Sequence, residues 1–235
     1  MMYSALSRRL PRWLRRRILH FETSIETAVH NFAAALPSGA RVLDAGAGES
    51  QYAPAFERQR YLAVDLGVGD AAWNYRRLDC IADLSALPLV SSSIDACLNI
   101  VTLEHVREPG RAVSEISRVL RPGGRLLIIV PHEWEVHQQP HDYYRYTLHG
   151  LRYLIEQAGM EVVSLEPVGG FFRLLSRRLL NALQFFPGIL MPLAALFLAP
   201  PALILPWFDP LDKQRNFTLG YICIAAVPDS APLLP

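Results

Sequence analysis

The sequence predicts an α/β fold built on parallel β-α-β units, and three observations carry that reading. Short apolar runs alternate with helix-like segments from Arg41 to Val130. Several of those runs end in acidic or glycine-rich turns. The chain has 235 residues, 51% hydrophobic and 19% charged, which suits one ordinary domain with some decoration and excludes a disordered or collagen-like chain. A formal net charge of +1 argues against nucleic-acid binding by bulk charge. Cys80, Cys97 and Cys223 lie far apart without a CxxC pair, so neither a disulfide framework nor a zinc knuckle is expected. A reducing cytoplasm is the expected compartment.

Taken in order, residues 1–40 read as a basic, amphipathic helical region. Arg8, Arg9, Arg12, Arg15, Arg16 and Arg17 precede the first acid, Glu22. Leu6, Leu10, Trp13, Leu14, Ile18 and Phe21 form an apolar helical stripe, which Arg17 interrupts. A solvated helix face, a membrane-surface arm and an organellar presequence all suit this pattern; a secretory signal does not, for want of an apolar run. Helix from Arg12 to Leu36 closes at Pro37-Ser38-Gly39. Arg41–Ala45 is a short strand, Gln51–Arg58 can start a helix, and Tyr61–Asp65 is a second strand ending in an acid. Ile94–Val101 is a third strand, Arg111–Leu120 an amphipathic helix, and Arg125–Val130 a strand entered through Pro122-Gly123-Gly124. Thr147–Ala158 reads as helix, Glu161–Pro167 as strand and Phe217–Val227 as a last strand rich in β-branched and aromatic residues.

In an open parallel sheet, ligands bind beyond the carboxyl ends of the strands. Asp44 closes the first strand and is followed by Gly46-Ala47-Gly48, where a tight turn lets a ligand approach the backbone. The loop runs on as Glu49-Ser50-Gln51, so the GxGxxG fingerprint is incomplete. Asp65, 17 residues beyond Gly48, ends the next strand where a carboxylate can accept both ribose hydroxyls of an adenosine group.

These segments resemble the class I S-adenosylmethionine-dependent methyltransferases, in particular the type-11 group, over about Arg41 to Met160. Val42–Gly48 looks like the first motif, whose glycines approach the methionine part of the cofactor and whose acid orients that part or its loop. Tyr61–Asp65 looks like the ribose-binding strand. Asp83-Leu84-Ser85-Ala86-Leu87-Pro88 resembles the adenine segment, and Ser93-Ile94-Asp95, Leu103-Glu104-His105-Val106 and Glu115–Gly124 follow in family order. The resemblance implies a Rossmann-like, doubly wound, mostly parallel seven-stranded sheet with helices on both faces and an antiparallel last strand. It implies S-adenosylmethionine as cofactor, with Asp44, Gly46, Gly48, Asp65, Asp83, Leu84 and Glu104 on the cofactor side.

After the fifth strand, His132, His137, His141, Asp142, Tyr143, Tyr144, Arg145 and Tyr146 crowd one segment. His141 is the leading candidate for a general base and His105 the next, while His137, Tyr143, Tyr144 and Arg145 belong to the acceptor side. Spacings of five and four between His132, His137 and His141 fit no standard zinc pattern, so no metal is expected there.

The departure from the resembled family is a thirty-residue stretch without a charge, Leu179–Phe208. Its length reaches the transmembrane threshold of about 18 apolar residues. If Glu161–Pro167 and Phe217–Val227 pair in one sheet, both ends of this insertion lie on one side of a bilayer. An interfacial or re-entrant helical hairpin meets that condition, with Pro187, Pro192, Pro200, Pro201 and Pro206 supplying breaks and flanking arginines meeting anionic head groups. A hydrophobic cap or dimer face is the other reading. The expected organisation is therefore the helical region 1–40, a methyltransferase core 41–168, the insertion 169–216 and a final strand and tail 217–235. The expected activity is methyl transfer to an oxygen of a hydrophobic or lipid-linked small acceptor, from a cytoplasmic protein peripheral on the inner face of a membrane. A non-catalytic cofactor-binding or assembly protein is the alternative, and a nucleic-acid partner is the weakest option.

Overall fold

The computed structural model describes residues 11–70 and 72–229. Leu6, Arg8, Arg9 and Leu10 of the basic stripe lie outside them. The first helix, α1 (Arg12–Ile18), is followed after Leu19 by α2 (His20–Ala35), in keeping with helix up to the Pro37 breaker. The strands are β1 (Arg41–Ala45), β2 (Arg60–Asp65), β3 (Cys80–Ile81), β4 (Ile94–Ile100), β5 (Leu120–Pro131), β6 (Glu161–Pro167) and β7 (Gly220–Ala226). Four more helices are α3 (Pro109–Val119), α4 (Leu148–Gln157), α5 (Phe171–Asn181) and α6 (Leu190–Ile204).

One seven-stranded sheet has the order β3-β2-β1-β4-β5-β7-β6. Strands β1 to β5 run parallel, and the β5/β7/β6 edge is antiparallel. This is the doubly wound, Rossmann-like class that the sequence predicted, with β7 inserted beside β5. Strands are added outward from β1 in one sense and from β4 in the other, and since β1, β2 and β4 are parallel their carboxyl ends open onto one edge.

Gln51–Arg58 forms only a 3₁₀ turn, Ala53–Phe56, with Pro54 in its first turn. The four residues of that turn are too few to nucleate a longer helix. Strand β5 begins at Leu120 and runs through Pro122-Gly123-Gly124, where a turn into the strand was expected. Gly123 and Val227 hold this start, through Gly123 N–H donating to Val227 O at 2.9 Å.

The chain divides into two compact units: Thr27–Glu166 with Tyr221–Pro235, and Met1–Glu26 with Pro167–Gly220. In the first, Leu43, Cys97, Leu126 and Ile128 of the sheet pack with Val113 and Ile116 of α3 and Leu151 and Ile155 of α4. Each of these side chains is fully buried.

In the second unit, α5 and α6 form a helical hairpin joined by a 3₁₀ turn, Ala182–Phe185, and the Pro187-Gly188 bend. Pro200 and Pro201 lie within α6 instead of breaking it, and the helical path continues as a 3₁₀ segment to Leu211. Ser176 donates to Ala202 O at 2.5 Å, and Arg17 donates to Leu203 O at 2.9 Å with its guanidinium 4.3 Å from the Trp207 ring centre. Pro206 has no N–H to offer the Ala202 carbonyl one turn back, and Ser176 serves that carbonyl instead, while Arg17 serves its neighbour. The arginine that interrupts the apolar stripe therefore has a structural task. Arg177 pairs with Glu22, and Arg173 with Asp209.

Candidate active site

The residues that the sequence assigns to the cofactor side stand mainly in the turns after β1, β2 and β3. Asp44, the last polar residue of β1, is 1% exposed and accepts a hydrogen bond from the Tyr61 hydroxyl. Burial pushes its carboxyl up to about 7; the Tyr61 hydrogen bond offsets part of this and nearby Asp65 adds to it. Tyr61 was not singled out from the sequence. The register pairs Asp44 with Ala63, which places Tyr61 on the same face of β2 two residues earlier, so strand pairing was the signal that could have found it.

Gly46 has φ of +92°, and a Cβ there would stand 2.2 Å from Thr102 Cγ2. Its lack of a side chain is thus required by Thr102, two residues beyond β4. Gly48 donates its N–H to Asp65 Oδ2 at 2.9 Å, and Gly67 donates to Oδ1 at 2.7 Å. Asp65 accordingly ties the β1 and β2 turns together, with a second lone pair remaining on each oxygen. Trp73 lies against Gly48, within ordinary contact of where its Cβ would be. Ser50, in the same turn, is 1% exposed and its Oγ has no hydrogen-bond partner.

Asp83 caps the turn Leu84–Ala86, accepting from Ser85 N and Oγ, both at 2.8 Å, which hold its carboxyl below the usual range. It is exposed, and so accessible to a ligand. The Leu84 side chain is 5% exposed in the core, leaving only its backbone for cofactor contact.

The residues that the sequence assigns to the acceptor side stand beyond β4 and β5. These strands are parallel neighbours, so the segments leaving their carboxyl ends meet. Glu104 is completely buried, with its backbone carbonyl accepting from Tyr143 N at 2.9 Å and Tyr144 N at 3.2 Å. His105 and His137 ring centres are 4.7 Å apart. His137 was assigned to the acceptor side and Glu104 to the cofactor side, and the structure brings them together with His105. His141 reaches His105 through its backbone carbonyl, 2.6 Å from His105 Nδ1, while its own Nδ1 lies 3.2 Å from the Tyr143 hydroxyl.

Much of the polar crowd after β5 is spent on the loop itself. Arg145 grips Asp142 with two nitrogens at 2.6 and 2.8 Å and donates to the carbonyls of Trp134, Glu135 and Tyr144. This pairing holds the Asp142 carboxyl down to about 2. The Tyr144 hydroxyl donates to Arg107 O and that of Tyr146 to Leu103 O, while Tyr143 accepts from Arg107 Nε. His132 Nδ1 bonds Tyr146 O at 2.9 Å, apart from the other histidines. Arg145 and the tyrosines are thus loop-positioning residues in this arrangement. Asp142 is the partner that holds Arg145, and the sequence reading left it outside the site.

The seven-stranded doubly wound sheet carries acids at the ends of β1 and β2 with a glycine turn between them, at the edge where ligands bind in such sheets. Residues 43–128 match the family model described as a methyltransferase domain, that of the type-11 group. S-Adenosylmethionine is the cofactor of that class I methyltransferase family. The buried, unpartnered Ser50 Oγ in the glycine turn and the lone pairs of Asp65 fit a polar group there.

Among curated relatives, the chain is 32% identical over 128 residues to the tRNA (carboxymethyluridine(34)-5-O)-methyltransferase of Macaca fascicularis, covering 51% of this chain and 19% of that one. It is 38% identical over 96 residues to the demethylmenaquinone methyltransferase of Renibacterium salmoninarum, covering 38% and 40%. The chain thus spans well under half the length of these relatives. Among solved structures, the [4+2]-cyclase SpnF superposes with a TM-score of 0.56 at 22% identity, covering 86% of this chain and 81% of that one. A sarcosine dimethylglycine methyltransferase of Galdieria sulphuraria, described as putative, gives 0.55 at 15%, covering 89% and 87%. These two likenesses show the fold.

Proposed function

We propose that this chain transfers a methyl group from S-adenosylmethionine to an oxygen of a hydrophobic or lipid-linked small acceptor at a membrane surface, from the cytoplasmic side. Methyl transfer is supported by the matched domain together with the polar ends of β1, β2 and β4. Asp65 would receive the ribose hydroxyls, Asp83 the adenine amino group, and the Gly46–Gly48 turn with Asp44 the methionine part. When bound, the cofactor supplies a methyl group that is already electrophilic. The chain's tasks are then to align the acceptor, exclude water and take its proton. His105 and His141 stand on the acceptor side for that last task.

The acceptor class is carried by one observation, the apolar exposure of α6. The helical path Leu190–Leu211 is 22 residues long, and only 11% of its most apolar window is buried. Ile189, Leu193, Leu196, Phe197 and Trp207 are 87, 54, 67, 67 and 64% exposed. An open cleft of about 350 Å³ beside it is lined by Phe186, Leu190, Leu193, Ala194, Phe197 and Leu198. A face of this size supports contact with lipid or with a lipid-like acceptor. The demethylmenaquinone methyltransferase named above acts, by its name, on a quinone, which agrees with a hydrophobic acceptor.

Two measurements test the reading. Calorimetric titration with S-adenosylhomocysteine should show binding, absent for NAD and weakened more than about tenfold in Asp65→Ala, through loss of charge-assisted hydrogen bonds. No binding by folded parent protein removes methyl transfer from the reading. Liposomes containing anionic lipid should sediment the parent and lose Leu193→Lys/Phe197→Lys. Equal partition of the two proteins defeats the membrane part, and binding of cofactor without any methylated product in lipid extracts would favour the assembly-protein reading.

A further inference from the structure

Three acceptor atoms converge at Glu104, His105 and His137. His105 Nε2 is 3.6 Å and His137 Nε2 is 3.8 Å from Glu104 Oε1, beyond hydrogen-bond reach in both cases. Both oxygens of Glu104, His105 Nε2 and His137 Nε2 are buried without a hydrogen-bond partner. Glu104 itself is 0% exposed. A buried carboxylate left unpaired costs far more than a satisfied one, so a positive centre is missing from its balance.

The histidine tautomers follow from their other nitrogens. His105 Nδ1 lies 2.6 Å from the carbonyl of His141, and His137 Nδ1 lies 3.1 Å from that of Glu135. A carbonyl only accepts, so His105 Nδ1 carries the proton, and at His137 the 3.1 Å carbonyl contact assigns it to Nδ1 over the longer 3.5 Å approach of an Arg145 nitrogen. In the neutral rings both Nε2 atoms then present lone pairs toward the same carboxylate. Two imidazoles oriented by carbonyls, with Nε2 turned toward a buried acid, form the arrangement in which outer partners fix metal-binding histidines. The separations of 3.6 and 3.8 Å approach the edge of about 3.3 Å expected for tetrahedral bonds of roughly 2.0–2.1 Å.

We propose that Glu104, His105 and His137 bind one divalent transition-metal ion, zinc by preference, through one carboxylate oxygen and two imidazole Nε2 atoms, with a further coordination position open. The two-nitrogen, one-oxygen set suits zinc and its first-row neighbours and suits magnesium or calcium poorly. The spacing argument from the sequence weighed His132, His137 and His141. The structure sets His132 apart and supplies Glu104 and His105 from the neighbouring strand instead. The site rests on coordination chemistry alone and does not depend on the methyl-transfer reading; with the ion on His105 Nε2, the general-base role in that reading falls to His141.

The test loads full-length, chelator-stripped protein with zinc and separates free ion by gel filtration before elemental analysis. One equivalent per chain should remain, with zinc affinity reduced more than about 100-fold in Glu104→Gln and in His137→Ala, beyond the loss of an outer partner. The exposed His149→Ala should retain the ion. Cobalt loading of the parent gives a second readout that needs no variant: ligand-field absorption of a four- or five-coordinate ion is expected. Less than stoichiometric retention by folded parent, equal loss in His149→Ala, or an octahedral aquo-cobalt spectrum each overturns the site. In that case a proton shared by Glu104 and the histidines is the positive centre. S-Adenosylhomocysteine binding, measured in the same preparations, reports on the methyltransferase reading separately.

Discussion

Asp44 shows what one buried side chain does to the molecule's pH dependence. Its folded-state value of about 7 exceeds the ordinary 3.8 because burial disfavours the carboxylate, while Tyr61 and Asp65 act in opposite senses. Between these limits the native chain keeps a proton that the unfolded chain has released, so this group's contribution to stability falls as pH rises from 3.8 toward 7. Asp44→Asn should remove that fall and be relatively most stable above it, by a few kcal/mol, in urea denaturation across the window. A slope unchanged in the variant would assign the titration elsewhere. The acids that end β1 and β2 were legible in the sequence because a polar residue stands out against an apolar run. Tyr61, Trp73 and Thr102 were not, since each gains its role only from strand register or from a chain crossing that no local pattern encodes.

At the scale of elements, the alternating segments located the strands and helices well because their hydrophobic periods differ. Glu161–Pro167 was legible to the residue. The 3₁₀ turn at Ala53–Phe56 and the continuation of α6 through Pro200 and Pro201 were not, because both depend on packing and on carbonyl partners supplied from afar. One such long-range device anchors the loop that follows Asp83 to α3. Arg118 donates to Leu87 O at 3.0 Å and Leu89 O at 2.9 Å, and Glu115 accepts from Leu87 N at 2.9 Å. The two side chains also pair with each other. Arg118→Ala should destabilise the protein by about 1–3 kcal/mol through these carbonyls, and should weaken S-adenosylhomocysteine binding without touching the ligand. Thermal unfolding and calorimetry read the two effects; unchanged affinity would show that the Asp83 loop keeps its shape without the anchor.

At the scale of the whole molecule, the two compact units carry opposite pH sensitivities. His20, in the unit containing α5 and α6, is driven down to about 4 by burial, with Arg173 and Arg215 adding to the effect. Below its ordinary 6.5 the unfolded chain takes up a proton that the native chain refuses, so stability from this group is lost as pH falls from 6.5 to 4. Asp44, in the other unit, weakens its surroundings as pH rises toward 7. Hydrogen exchange should therefore show α5 peptides opening faster on acidification and β1–β2 peptides opening faster toward neutrality. His20→Gln should flatten the first trend alone, and a single uniform response of all peptides would contradict the assignment.

The two ends of the insertion that carries α5 and α6 meet where Val168 N–H donates to Gly220 O at 2.9 Å and Leu219 N–H donates to Val168 O at 3.1 Å. Chain leaves the sheet and re-enters it across a single rung of the ladder, so strand order is indifferent to whatever length or chemistry lies between. An enzyme lineage built this way can trade its excursion for another, a water-facing flap for a greasy one, and redirect where it works while the methyl-donor pocket is inherited unaltered.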